Sequence, residues 1–182
     1  LEAHFKLYEG YVNKLNEIEK KLKNEDPSKA NYSFNEFSEL KRREAVAFNG
    51  AFLHELYFEN LGNEGAEPSV KLNGDIKKRY GTLDKLFSIL AGIAISEPGW
   101  ALLTYNRIDG QLHTYLLEEH HIGLPVHQEL ILVIDSWEHA YMIDYGIAKD
   151  KYMEGIFKHI NWEIVNKRYY KILQKNSDYV NT

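Results

Sequence analysis

From Leu1 to about Lys23 the apolar residues Leu7, Tyr8, Tyr11, Leu15, Ile18 and Leu22 recur at three- and four-residue steps, laying one apolar stripe along a helix. The polar stretch Asn24 to Tyr32, with Pro27, ends it. Ser33 and Glu36 have capping-box spacing, and Phe37, Leu40, Ala47, Phe48, Ala51 and Leu56 carry a helical period on to Gly62. Two long helices in succession predict a helical hairpin. Polar residues 63–71 read as a loop, followed by helices at about 73–80 and 83–95 with Gly81 between them. After Pro98-Gly99 the period changes. Trp100 to Asn106 and Gln111 to Leu116 flank the turn pair Asp109-Gly110, and Glu129 to Ile134 is a short apolar run suited to a buried strand. Helical periodicity returns from Tyr152 to Leu173. This order predicts an α+β fold: a long N-terminal helical hairpin over residues 1–66, then an α+β domain over 67–182 with a three-stranded antiparallel sheet.

With 182 residues, 44% hydrophobic and 13% aromatic, the chain can bury a substantial core. Its longest apolar run, Leu130 to Ile134, is far short of the roughly 20 residues of a membrane span. No basic, apolar leader precedes the first helix, so a cytoplasmic location is expected. The absence of cysteine excludes disulfides, iron-sulfur clusters and thiolate metal sites, leaving nitrogen and oxygen as the only metal ligands. A net charge of -5 with dispersed Lys and Arg argues against nucleic-acid binding.

Chemistry concentrates at a few positions. Asp135 ends the apolar strand and begins the pattern Asp-x-Trp-x-x-His, closing on His139. A carboxylate and an imidazole four residues apart converge if the strand runs into a helical turn, although the pair also reads as a turn cap beside a buried histidine. A charge at the end of such a strand is costly unless it is paired or bound to a cation. His54 lies in Phe48-Asn49-Gly50-Ala51-Phe52-Leu53-His54-Glu55-Leu56-Tyr57-Phe58, apolar or small on nearly every face, and His4 shares a helix face with Leu7, Tyr8 and Tyr11. Either histidine alone would more often be a core or surface residue than a ligand.

Together these stretches resemble the iron/manganese superoxide dismutases across nearly the whole chain. The matching segments are Phe48-Asn49-Gly50 with His54-x-x-Tyr57-Phe58, Pro98-Gly99-Trp100, Asp135-x-Trp137-Glu138-His139-Ala140-Tyr141, Asp144-Tyr145, and Asn161-Trp162-x-x-Val165-x-x-Arg168-Tyr169, in the family's order and spacing. The resemblance implies that His4, His54, Asp135 and His139 hold one iron or manganese ion per chain, with a slight preference for iron and with solvent completing the coordination. It implies superoxide as substrate: one anion is oxidised to oxygen, and a second is reduced to peroxide as protons arrive. Imidazole and carboxylate ligands suit iron or manganese alternating between two and three positive charges. A metal-binding relative with low or lost activity and a zinc hydrolase on the same four ligands are the alternatives.

The resemblance also implies an outer-sphere residue beside the bound solvent. The glutamine position four before the second ligand is Gly50, which cannot serve, so the role falls to His120, fifteen before Asp135, with His121 as competitor if the loop register slips. Tyr11 resembles the tyrosine that gates the substrate funnel, although it follows His4 by seven residues where the family has eight. Two further positions depart from the pattern: Tyr8 replaces a histidine, and Met142 replaces the tyrosine that contacts it across the dimer. Glu138 resembles the residue that reaches the ligand histidine of a partner subunit, implying a homodimer or tetramer. Trp100, Trp137 and Tyr145 resemble an apolar wall, thinned at Leu102, and Arg168 is the candidate for steering the anion.

Overall fold

The computed structural model describes residues 1–62 and 66–180, with side chains described to 175. Helices α1 (Glu2–Leu22) and α2 (Glu36–Glu59) form the expected hairpin, joined through a 3-10 turn at Pro27–Lys29. Then come α3 (Val70–Tyr80), α4 (Leu83–Ser96), β1 (Trp100–Asn106), β2 (Gln111–Leu117), β3 (Gln128–Asp135), α5 (Glu138–Tyr145), α6 (Lys149–Lys158) and α7 (Trp162–Val180). None of the helices among the described residues is long and apolar enough to cross a membrane.

Three boundaries differ from the sequence reading. Helix α2 is capped by Asn35, whose side chain accepts from the Ser38 amide, so Ser33 stands outside the helix and the Ser33–Glu36 box does not form. The Asn31 amide donates to Ser38 Oγ and the Asn31 side-chain oxygen accepts from the Phe34 amide, folding the intervening residues into a compact turn that brings Asn35 to the cap. Helix α3 starts at Val70 rather than about 73 because the Ser69 hydroxyl accepts from the Leu72 amide. The loop expected over 63–71 is thereby shortened, and its residues 63–65 lie outside the described ones. The helical run expected over 152–173 is two helices. The chain breaks at His159–Asn161, where the Gly62 amide donates to His159 O at 2.9 Å and the Asn161 amide to Asn60 O at 2.7 Å, stitching the break to the end of α2.

Strand β1 is central in the antiparallel order β2-β1-β3 and is buried on both faces. Ala101, Leu103 and Tyr105 point to a core built with α3, α4, α6 and α7, while Trp100 and Leu102 point the other way, to Leu53, Leu56 and Tyr57 of α2. The register of β1 with β3 shifts between Leu103 and Thr104, leaving Ile131 as the extra residue of a bulge. Beyond the bulge, Val133 faces α2, so its neighbour two positions on, Asp135, faces α2 as well. Strand parity thus aims the last residue of β3 at the helical hairpin.

Candidate metal centre

Four elements meet where β3 ends. His4 lies in the first turn of α1, His54 in α2, Asp135 at the tip of β3 and His139 in the first turn of α5. One ligand atom from each falls within 4.8 Å of the other three. Asp135 Oδ2 is 3.0 Å from His4 Nε2, 3.0 Å from His139 Nε2 and 3.5 Å from His54 Nε2. Asp135 and His54 are also oriented from behind. Asp135 Oδ1 accepts from the Trp137 amide at 2.9 Å, leaving Oδ2 to face the cluster. His54 Nδ1–H donates to Gly50 O at 2.5 Å, which leaves Nε2 as a bare acceptor, fully buried and without a hydrogen-bond partner among the described residues. An inward-facing buried lone pair is costly unless a cation or proton meets it.

The electrostatics agree. Burial lowers the His54 pKa to about 4, outweighing the attraction of Asp135, so the ring is neutral and ready to ligate. Burial pushes Asp135 upward, but the imidazoles of His139 and His4 more than offset it and hold the carboxyl at about 2. A fully buried anion ringed by three imidazoles matches the donor set of a hard-to-borderline redox cation.

A second group lies against His54. The Tyr11 ring stacks on it with centroids 5.4 Å apart, and Tyr11 Oη is 2.6 Å from His120 Nε2. Trp100 Nε1–H donates to His120 Nδ1 at 3.0 Å, so Nδ1 is an acceptor and Nε2 carries the proton that goes to Tyr11. His120 is buried, whereas His121 is exposed, which decides between the two neighbours. Helix α1 is continuous across the seven-residue step from His4 to Tyr11, and the Tyr11 ring settles over Gly50, where a Cβ would lie 2.5 Å from Tyr11 Cδ1. A side chain at position 50 and the ring of Tyr11 therefore compete for one space.

Not every expected role survives. Arg168 donates to Asn60 Oδ1 at 2.9 Å, to Ile131 O at 2.8 Å and to Glu59 at 2.8 Å. It clamps α7, α2 and β3 together, and its charge is spent there rather than at the metal cluster. Trp100 is fully buried against His54, ring centroids 4.9 Å apart, and Trp137 stands 6.1 Å from His120, so both wall the site. Leu102 is fully buried beside Trp100. Tyr145 packs instead on Tyr152 and lines a separate cleft of about 420 Å³ that reaches His4 and His139. Tyr8 packs on Phe5 and Phe58, and Met142 is 47% exposed. Glu138 is exposed on α5 next to His139, whose side chain is 31% exposed.

Two supporting residues escape a reading of the sequence. Tyr152 Oη donates to Asp135 O at 2.6 Å and lies 3.1 Å from Tyr57 Oη, fixing the end of β3 from beneath. Asn49 Nδ2–H donates to His120 O at 2.6 Å and holds the His120 loop on α2. Asn49 sits in a recognisable segment, but a tyrosine in α6 carries no local sign of where its hydroxyl will go.

The profile of the iron/manganese superoxide dismutase C-terminal domain matches residues 68–168. This chain belongs to the iron/manganese superoxide dismutases. The superoxide dismutase [Fe] of Aquifex aeolicus is 39% identical over 179 residues, covering 96% of this chain and 84% of that protein. That of Aquifex pyrophilus is 39% identical over 180 residues, with 96% and 84% covered. A manganese enzyme, the mitochondrial superoxide dismutase [Mn] 2 of Caenorhabditis elegans, is 34% identical over 172 residues, covering 91% of this chain and 75% of that protein. The three-stranded sheet preceded by long helices is the fold of the family, and membership sets aside the zinc-hydrolase reading.

Proposed function

We propose that this superoxide dismutase works at the cluster of His4, His54, Asp135 and His139, which would hold one iron or manganese ion between the hairpin of residues 1–66 and the α+β unit of 67–182. The observation that carries the reading is the buried Nε2 of His54, without a hydrogen-bond partner among the described residues and facing a buried carboxylate oxygen that two other imidazoles share. Iron is the favoured metal, because the two relatives at 39% identity are named as iron enzymes. When bound, the ion supplies an electron acceptor for one superoxide and an electron donor for the next.

The protein's own residues supply orientation and protons. Because His120 Nε2–H donates to Tyr11 Oη, the phenol's own proton is free to point into the site. Burial, then the charges of Asp135 and Glu119, raise the Tyr11 pKa, and burial lowers that of His120, so the pair stays neutral while it stores that proton. Tyr11 is thus the proton donor to the reduced substrate, and His120 the residue that positions it and relays a replacement. Trp100 and Trp137 keep bulk water out, which strengthens every electrostatic interaction inside.

The working form we infer is a homodimer or tetramer assembled through Glu138, with the cytoplasm as its compartment. Glu138 next to the partly exposed His139 supports that face. The test is metal content measured beside superoxide dismutation for wild type and His139→Ala. Near-stoichiometric iron or manganese in the wild type, with metal and activity lost together in the variant, is expected. Full metal occupancy in His139→Ala would remove that residue from the site, and a metal-loaded wild type without turnover would favour the inactive relative.

A further inference from the structure

Away from the metal cluster, and sharing no residue with it, a groove of about 590 Å³ lies between α2 and α7. Leu53, Leu56, Leu117, Leu130, Ile164 and Ile172 make its apolar lining. On α7 the lining recurs at three- and four-residue steps, so Ile164, Arg168, Lys171 and Lys175 share one helix face. On α2 the exposed rings of Phe48 and Phe52 stack with centroids 6.1 Å apart and extend the apolar surface outward. A concave apolar site of this size falls in the range of small-ligand pockets.

The polar side chains of the lining decide what fits. Asn49 donates to His120 O, Gln128 accepts from the Thr104 hydroxyl, and Arg168 donates to Glu59. Arg107 donates to Glu129, and Lys167 is paired with Glu163. Only Lys171 and Lys175, both exposed, form no ion pair or side-chain hydrogen bond among the described residues of the lining. The interior therefore has no free side-chain donor or acceptor, while the mouth carries two cations one turn apart on α7. On a chain of net charge -5 this is a local cationic site. A peptide would bury amides against a wall without partners for them, whereas an alkyl chain needs none. Apolar lining with a paired cationic mouth is complementary to one anionic head on one apolar tail. We propose that the groove binds a free long-chain fatty acid, its alkyl chain lying between α2 and α7 over Leu117 and Leu130 and its carboxylate meeting Lys171 and Lys175. The inference does not depend on which residues hold the metal.

Calorimetric titration of the metal-loaded enzyme with dodecanoate, kept below its micellar concentration, tests this. One dodecanoate per chain is expected. Each buried methylene strengthens binding about fourfold, so decanoate should bind roughly tenfold more weakly. The double variant Lys171→Ala/Lys175→Ala alters exposed side chains only. It should weaken decanoate several-fold at low salt, leave decanol binding unchanged, and keep wild-type metal content and dismutation. Leu124→Glu, on the loop that borders the groove, places an anion in it and should weaken dodecanoate as well. Absence of saturable dodecanoate binding, or an affinity indifferent to chain length, overturns the proposal. So does a double variant that binds decanoate as wild type does or loses decanol equally, and so does binding to phosphatidylglycerol vesicles without binding to the free acid.

Discussion

Glycine in the middle of a helix ordinarily costs about 0.5–1 kcal/mol relative to alanine, so Gly50→Ala in α2 should stabilise the protein if nothing else occupies the space. The new Cβ, however, would sit 2.5, 2.8 and 2.8 Å from three atoms of the Tyr11 ring. Carbon atoms pack best at about 3.5–4.0 Å, so the ring would have to withdraw by about 1 Å. Tyr11 Oη, now 2.6 Å from His120, would then sit near the limit of a hydrogen bond. Overpacking of this kind costs roughly 1–3 kcal/mol, which exceeds the helical gain and leaves a net loss of about 1 kcal/mol. For a chain of this size that lowers the melting temperature by roughly 2–4 °C. The assay is thermal unfolding of metal-free protein, so that metal loading does not enter. In a Tyr11→Ala background the obstacle is gone, and the same Gly50→Ala change should raise the melting temperature instead. If Gly50→Ala were stabilising in both backgrounds, Tyr11 would not rest on Gly50 and the account of how the shortened spacing is accommodated would be wrong.

Stability of the metal-free protein should depend on pH through His54 and Asp135. Because the folded His54 pKa is lowered from 6.5 to about 4, the unfolded chain takes up the proton first. Stability is therefore intact above pH 6.5 and declines as pH falls toward 4, by about 3 kcal/mol at most. The lowered Asp135 adds a further loss from about 3.8 down to 2. Urea unfolding at stepped pH checks this, and a flat profile between pH 7 and 4.5 would refute it. Arg168→Met should cost roughly 2–4 kcal/mol, since the Asn60 side chain and Ile131 carbonyl lose a buried donor, while metal content stays at the wild-type level. Loss of activity without loss of stability would instead return Arg168 to a steering role. Tyr152→Phe removes the donor to Asp135 O and should lower stability by about 1–3 kcal/mol and weaken metal retention in a chelator challenge. Added iron or manganese should raise the melting temperature of wild type with metal concentration, and that dependence should vanish in His54→Ala.

Much of this was legible along the chain. The hairpin, the strand pair around Asp109-Gly110 and the buried β3 follow from periodicity and turn chemistry, which act over a few residues. The four candidate metal residues and His120 were readable because their segments keep a recognisable order, although they come from α1, α2, the loop before β3, and β3 with α5. What periodicity missed were features set by distant partners. The one local sign of the break at His159–Asn161 is Asn161 itself, whose side chain accepts from the Ile164 amide at the start of α7; the bonds that stitch the break in place involve Asn60 and Gly62. Arg168 looked free for an anion because its three acceptors lie on α2 and β3.

The sequence by itself determined which residue types were available: with no cysteine, a redox metal site had to be built without thiolates, and a seven-residue step kept His4 and Tyr11 on one helix face. Tertiary structure decided the rest. The bulge and parity of β3 turn Asp135 toward the hairpin, and the bare glycine at position 50 lets Tyr11 reach His120. The physical reason is that helical and strand periods are local properties of the backbone. The direction in which a buried lone pair or hydroxyl finds its partner is fixed only once separate elements have packed.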